Sequence, residues 1–228
     1  MLIFAIDTAG PPCSTCIFDT ASNDIIAEMN DDIGRGHAEY LMPQIKACLE
    51  KTQIGLKEVD LFIAAVGPGS FTGIRVGVSA ARGFALALKK EARGVTTLDA
   101  LATDFAAHAT SPFAVAVKAG RDMVYAQTFD ESAQAQSQPQ LLKASDAACE
   151  FSGRVETIVG NGGPLLVEES DCFGKAFASQ ATGRIATIAR LGVLSDRTAS
   201  PLYIRQADAR PQTGFAVARA LKSERQVP

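Results

Sequence analysis

The chain has 228 residues, of which 47% are hydrophobic, with a formal net charge of −3 and a pI near 5.5. That is enough material for one large domain or two small ones, burying about 70% of the unfolded surface. The acidity, and the lack of any Lys or Arg run longer than two, argue against a protein that grips nucleic acid alone, because phosphate neutralisation carries most of that affinity.

Residues 2–7, 13–18 and 24–29 read as three short strands, with Pro11-Pro12 and Ser22-Asn23-Asp24 in the gaps. The opening apolar run is short, lacks a basic flank and stops at Asp7, so it reads as a first strand and not a signal peptide. With no apolar stretch near the ~20 residues of a bilayer span, the expected location is the cytoplasm. Five cysteines, an odd number, suit a reducing compartment. Cys13 and Cys16 form the one close pair, but on a strand they point to opposite faces, and with only His37 and His108 no four-ligand zinc site completes itself.

A helix over about 38–51 follows, with Leu41, Ile45 and Leu49 at four-residue spacing and Pro43 expected to bend it slightly. Residues 61–66 form a continuous apolar run of strand length, ended by Gly67-Pro68-Gly69-Ser70-Phe71-Thr72-Gly73. Thr72 is the expected N-cap of the next helix, whose first N–H groups would face the loop. Gly67, Gly69 and Ser70 are thus candidates for holding a phosphate, with a plain tight turn as the alternative; the loop lacks the Gly-Lys-Ser/Thr ending of a Walker loop. Along that helix Gly73, Gly77 and Ala81 recur every four residues with Ala80 beside them, inviting close approach of another backbone. The opposite side carries Ile74, Val78, Ala85 and Leu88. A helix apolar nearly all round is covered on more than one side. Periodicity leaves open whether it is a central core helix or lies between its own sheet and another polypeptide. On the second reading, Gly77→Leu should fold and lose the partner.

After a short strand near 94–95 and a helix over 99–107, the order starts again: a hairpin of 112–118 and 123–129, a strand at 141–142, a helix over 145–151, and a buried strand at 155–159 before Gly160-Asn161-Gly162-Gly163. Residues 134–140 read as a polar surface loop, 184–196 as a helix and 224–228 as a frayed end. Three strands, helix, strand, glycine loop and helix occur twice, as a duplicated pair of α/β lobes with a cleft between them requires. The expected division is 1–109 and 110–228.

The stretch 66–77, Gly36-His37-Ala38-Glu39 leading into Leu41, Pro43 and Ile45, Ile6-Asp7-Thr8 at the start, Asn161 in its glycine loop, and Pro201, Tyr203 and Arg205 resemble the TsaB (YeaZ) family. These are small non-peptidase relatives of the so-called glycoproteases. The resemblance implies an actin-like, ribonuclease-H-like fold and a role in the threonylcarbamoyl modification of adenosine beside the anticodon of certain tRNAs. It also implies a catalytic partner, TsaD, with the TsaE ATPase joining the assembly, and tRNA met only through that assembly. His37, Glu39, Leu41 and Ile45 of the first helix and Gly73, Arg75, Gly77, Ala80 and Ala81 of the second become the candidate interface, and the same surface is expected to pair two copies when the chain is alone.

Asp7 would stand near metal and phosphates in an actin-like ATPase, but the second-lobe carboxylate is expected where Lys118 stands, and one carboxylate organises magnesium poorly. The places of two metal-binding histidines in catalytic relatives hold Thr97 and Leu101 here. The expectation is therefore a subunit with no catalytic residue, metal or cofactor of its own, any ATP or ADP lying at the complex boundary. A metal-dependent peptidase or stand-alone ATPase is the rival.

Overall fold

The computed structural model describes residues 1–169, 173, 175–177 and 180–204. Strands β1 (Leu2–Asp7), β2 (Pro12–Asp19) and β3 (Asp24–Asp32) form an antiparallel meander, followed by helix α1 (His37–Thr52). A single 3₁₀ turn leads to β4 (Leu61–Ala65), α2 (Phe71–Leu88), β5 (Glu91–Val95) and α3 (Thr97–Ala106). The second half runs β6 (Phe113–Lys118), β7 (Met123–Phe129), β8 (Gln140–Lys143), α4 (Ala144–Phe151), β9 (Thr157–Val159), α5 (Gly163–Glu169), β10 (Lys175–Phe177) and α6 (Ile185–Leu194).

The two sheets have the orders β3-β2-β1-β4-β5 and β10-β9-β6-β7-β8. Read from the equivalent strands, these are one topology used twice. In each half the hairpin is antiparallel and the strands added after the helices are parallel to the first. The duplicated α/β fold of the actin-like class follows from that repeat. Residue 205 and the 224–228 end lie outside the described residues.

The division at 109 separates the sheets but not the cores. Helix α6, from the second half, lies on β1, β2, β4 and β5, where Ile185, Ile188 and Ala189 join the first core. Helix α3, from the first half, gives Leu98, Leu101, Ala102 and Phe105 to a core with Phe113, Val115, Val117 and Phe129. The two helices touch each other between the sheets. Strand alternation makes this possible: Ala114 and Ala116 of β6 face the α4–α5 side, while Phe113, Val115 and Val117 face α3. Asp104 of α3 fastens the exchange, accepting from the Arg184 backbone N–H at 2.7 Å, from Arg184 Nε at 3.0 Å and from the Thr187 hydroxyl.

Helix α2 begins at Phe71, two residues earlier than a cap at Thr72 implies, and its N-cap is Ser70, whose Oγ accepts from Gly73 N–H at 3.2 Å; Thr72 is not the cap. By length and apolarity alone α2 could cross a membrane, a property the sequence reading had not assigned to any segment. Here it lies on β4, β1 and β5, beside α1.

Candidate docking surface and interlobe cleft

The small residues of α2 face inward. Gly73, Gly77 and Ala81 are buried, and what they allow to come close is the chain's own β1. A Cβ on Gly73 would overlap the Thr8 carbonyl oxygen, and one on Gly77 would stand 2.5 Å from Thr8 Oγ1 and 3.4 Å from the Ile6 side chain. The Thr8 hydroxyl donates to the Gly73 carbonyl at 2.7 Å, a buried bond that needs this approach. These residues are therefore corrected from partner interface to sheet packing: the helix axis has to come this near for β1 and α2 to close over the core. With a Cβ at Gly77 already this close to Thr8, Gly77→Leu is expected to disturb the packing of α2 on β1.

Helix α1 divides the same way. It starts at His37 after Gly36, which has φ +86° and supplies no side-chain cap. His37 is buried, its Nε2 3.2 Å from the Pro12 carbonyl, and Leu41 and Ile45 enter the first core. All three are corrected to interior positions. Glu39 is exposed, as are Tyr40 and Met42 beside it.

The loop before α2 is committed to its own chain as well. Gly67 has φ +93°, a left-handed conformation that favours glycine. A Cβ on Gly69 would overlap the Ala9 carbonyl oxygen, to which Ser70 N–H donates at 2.7 Å. Ser70 Oγ takes the Gly73 N–H. The turn after β1 thus occupies the space in which a phosphate was expected, and Gly67, Gly69 and Ser70 do not fit a nucleotide phosphate there.

Asp7 is buried and accepts from Ala9 N–H at 2.8 Å. Burial pushes its pKa up to about 6, only partly offset by the Ala9 N–H and the Thr182 side chain. A nucleotide-bound magnesium asks for an open carboxylate, and this one is buried with one oxygen engaged by the Ala9 N–H. Beyond it, the cleft between the lobes holds a cavity of about 300 Å³ lined by Ser14, Glu28, Asn30, Asp32, Thr182 and Arg184, among others. Glu28, Asn30 and Asp32 share one face of β3 by strand alternation, so the cleft wall is acidic.

Lys118 ends β6 as an exposed residue whose backbone N–H donates to Asn161 Oδ1 at 2.9 Å. Thr97 and Leu101 are buried in α3, Leu101 within the second lobe's core. An apolar side chain therefore fills one of the places where the catalytic relatives would carry imidazole. Cys13 and Cys16 do point to opposite faces of β2: Cys13 Sγ lies 3.3 Å from Gln44 Oε1 on α1, and Cys16 Sγ 3.7 Å from the Ile185 carbonyl of α6. Burial pushes the Cys13 thiol up to about 11 and raises Cys16 further. Among the described residues no group of His, Cys, Asp and Glu is arranged to hold a metal.

What α2 leaves uncovered is its other side. Phe71 is 58% and Leu86 83% exposed, and Thr72, Arg75, Ser79 and Arg82 are exposed between them, with Ala80 half-buried at the edge. Arg75 stacks on Phe71, its guanidinium 3.8 Å from the ring centroid, and its Nε donates to the Tyr203 hydroxyl at 3.1 Å. Leu202 N–H donates to the Val66 carbonyl at 2.9 Å, bringing Tyr203, itself 57% exposed, to this end of the helix. The sequence reading missed Phe71 and Leu86 as surface residues. The signal lay in their helical phase, half a turn from the glycines, but it orients the helix only once the inward side is known.

Two lobes of one repeated topology, exchanging a helix each across an acidic cleft, place the molecule among the actin-like α/β proteins. Residues 28–168 match the family model described as TsaD: tRNA N6-adenosine threonylcarbamoyltransferase. The tRNA threonylcarbamoyladenosine biosynthesis protein TsaB of Buchnera aphidicola subsp. Schizaphis graminum is 33% identical over 101 residues, 44% of this chain and 47% of that one. TsaB of Escherichia coli K12 is 32% identical over 102 residues, 45% and 43% respectively. The chain spans about half the length of the curated relatives it matches. YeaZ from Pseudomonas aeruginosa superposes with a TM-score of 0.74 at 21% identity, over 89% of this chain and 99% of that one. A second Pseudomonas aeruginosa structure, an uncharacterized protein with similarity to peptidase YEAZ, gives 0.77 at 22% over 90% and 99%, and at such identities these two establish the fold. The chain belongs to the TsaD family and, within it, to the TsaB (YeaZ) group.

Proposed function

We propose that the chain is a non-catalytic subunit in the threonylcarbamoyl modification of adenosine next to the anticodon of tRNA, and that it docks through the outer sides of α1 and α2 onto the catalytic subunit TsaD, with TsaE joining the assembly. The observation that carries this reading is the uncovered side of α2. A helix that is apolar almost all round seats only one side on its own sheet and leaves Phe71 and Leu86 in solvent. Two large apolar side chains left in solvent on the side of the helix that its own sheet does not cover support a protein contact there. The burial of Leu101 where a metal-binding side chain would be needed supports placing the metal and the transfer reaction on the partner, and the net charge of −3 supports placing most tRNA contacts there too.

The test is reconstitution of the purified chain with TsaD, TsaE, tRNA and the threonylcarbamoyl donor. Modified adenosine should form only when this chain is present. Equal yield without it would remove the proposed role.

A further inference from the structure

We propose that Arg75 is the anchor of the docking surface, a preformed guanidinium that captures a carboxylate set among apolar side chains on the partner protein. The proposal rests on the docking reading above and adds to it the chemistry that the partner must present.

Arg75 is exposed, yet it is not a loose side chain. Phe71 lies under its guanidinium at 3.8 Å, the Tyr203 ring centroid is 5.8 Å away, and the Tyr203 hydroxyl takes its Nε–H at 3.1 Å. The two aromatic rings themselves stand 6.1 Å apart in a tilted arrangement. Stacking and one hydrogen bond restrict the rotamers that binding would otherwise have to freeze. Those contacts use the ring face and Nε, and among the described residues no partner is found for either Nη group or carboxylate for an ion pair. A guanidinium with both Nη groups available suits a planar two-oxygen acceptor.

Helix α2 holds no Asp or Glu in its whole length. Its second outward cation, Arg82, stands seven residues on, which is two turns or about 10 Å along the same side, and it too has no ion-pair partner among the described residues. The surface therefore offers two cations framed by the exposed apolar side chains of Phe71 and Leu86, and its complement is a protein face with carboxylates two turns apart beside apolar residues. Nucleic acid is a poorer complement, because two cations framed by Phe71 and Leu86 neutralise few phosphates and leave the apolar stripe uncovered.

Calorimetry of the purified chain with TsaD tests this, with circular dichroism and melting curves showing that each variant keeps the fold. Arg75→Met should weaken binding about 30-fold, and Arg75→Lys should recover only a small part of that, since an ammonium neither stacks nor bonds through two parallel N–H groups. Arg82→Met should weaken it about threefold, consistent with a less restrained side chain. Raising salt from about 50 to about 500 mM should weaken the wild type more than Arg75→Met. Leu86→Asp serves as the docking control. Loss of binding in Leu86→Asp with Arg75→Met within about twofold of wild type overturns the anchor and leaves the docking reading standing. A wild type that does not bind TsaD overturns both. Unchanged TsaD affinity in Arg75→Met, together with loss of tRNA binding or of self-association, assigns the guanidinium to a phosphate or to a second copy and also overturns the proposal.

Discussion

The two sides of α2 differ in charge as well as in duty: both of its arginines lie on the outer side and no charged residue on the inner. On the inner side Gly73, Gly77 and Ala81 let Thr8 and Ile6 of the β1 end come close. On the outer side Phe71, Arg75, Arg82 and Leu86 stand in solvent. The difference teaches that small size at four-residue spacing reports on how near a neighbour is, and that the identity of the neighbour has to come from elsewhere. Here the neighbour is the chain's own first strand.

That contrast is open to attack from the inside out. The largest effect is expected from Gly77→Leu, which places a branched side chain where even a Cβ meets Thr8 Oγ1 at 2.5 Å. Overpacking of this kind should cost about 3 kcal/mol or more, read as loss of soluble protein or a large drop in the urea midpoint. A Gly77→Leu chain that folds with wild-type stability would return the glycine stripe to the interface.

Asp7, at the end of the strand on which α2 presses, gives the next effect. Its folded pKa of about 6 stands above the ordinary 3.8 of an aspartate. The protonated carboxyl is therefore favoured by folding, and the contribution is fully present below about pH 4 and lost as pH rises through about 6. At pH 7 to 8 the buried carboxylate should cost up to roughly 3 kcal/mol. Asp7→Asn keeps an acceptor for the Ala9 N–H and should melt higher than wild type at pH 8, with the two curves converging near pH 4. Parallel melting curves from pH 4 to 8 would show that burial does not shift this group.

Ser70→Ala removes the oxygen that takes the Gly73 N–H and should destabilise by about 1 kcal/mol in chemical denaturation, the usual worth of an N-cap. If Ser70 instead served a phosphate, stability would barely change. Smallest for the fold, though not for docking, is Leu86→Asp on the outer side: stability within about 0.5 kcal/mol of wild type, but TsaD binding weakened at least about tenfold by a buried charge without a partner. Equal affinity would show that the uncovered side of α2 is not the docking face.

Much of the architecture was legible. Period-two and period-3.6 apolar patterns, with Pro and Gly in the gaps, place β1, β2, β4, α1, α4 and the β6–β7 hairpin close to where they stand. Strand β10 was not expected, since three residues are too few to show a period. The duplicated order was visible, but the exchange of α3 and α6 between lobes was not, because an apolar helix carries no mark of which sheet it will cover. The candidate site was less legible than the fold. Glu39 and Arg75 lie outward as an interface residue must, whereas His37, Leu41, Ile45, Gly73, Gly77 and Ala81 lie inward. The docking stack could not be read at all, because Tyr203 reaches Arg75 across 128 residues of sequence.

By itself the sequence determined the order of strands and helices, the repeat of that order, and the kinship carried by the Val66–Gly77 stretch, because these depend on local periodicity and on residue types a few positions apart. Tertiary structure alone decided what α2 lies against. Thr72, Arg75, Ser79 and Arg82 mark one side of the helix as outward, but small residues on the other side do not name their neighbour, and the Thr8 hydroxyl, 65 positions away from Gly73 in the chain, supplies it.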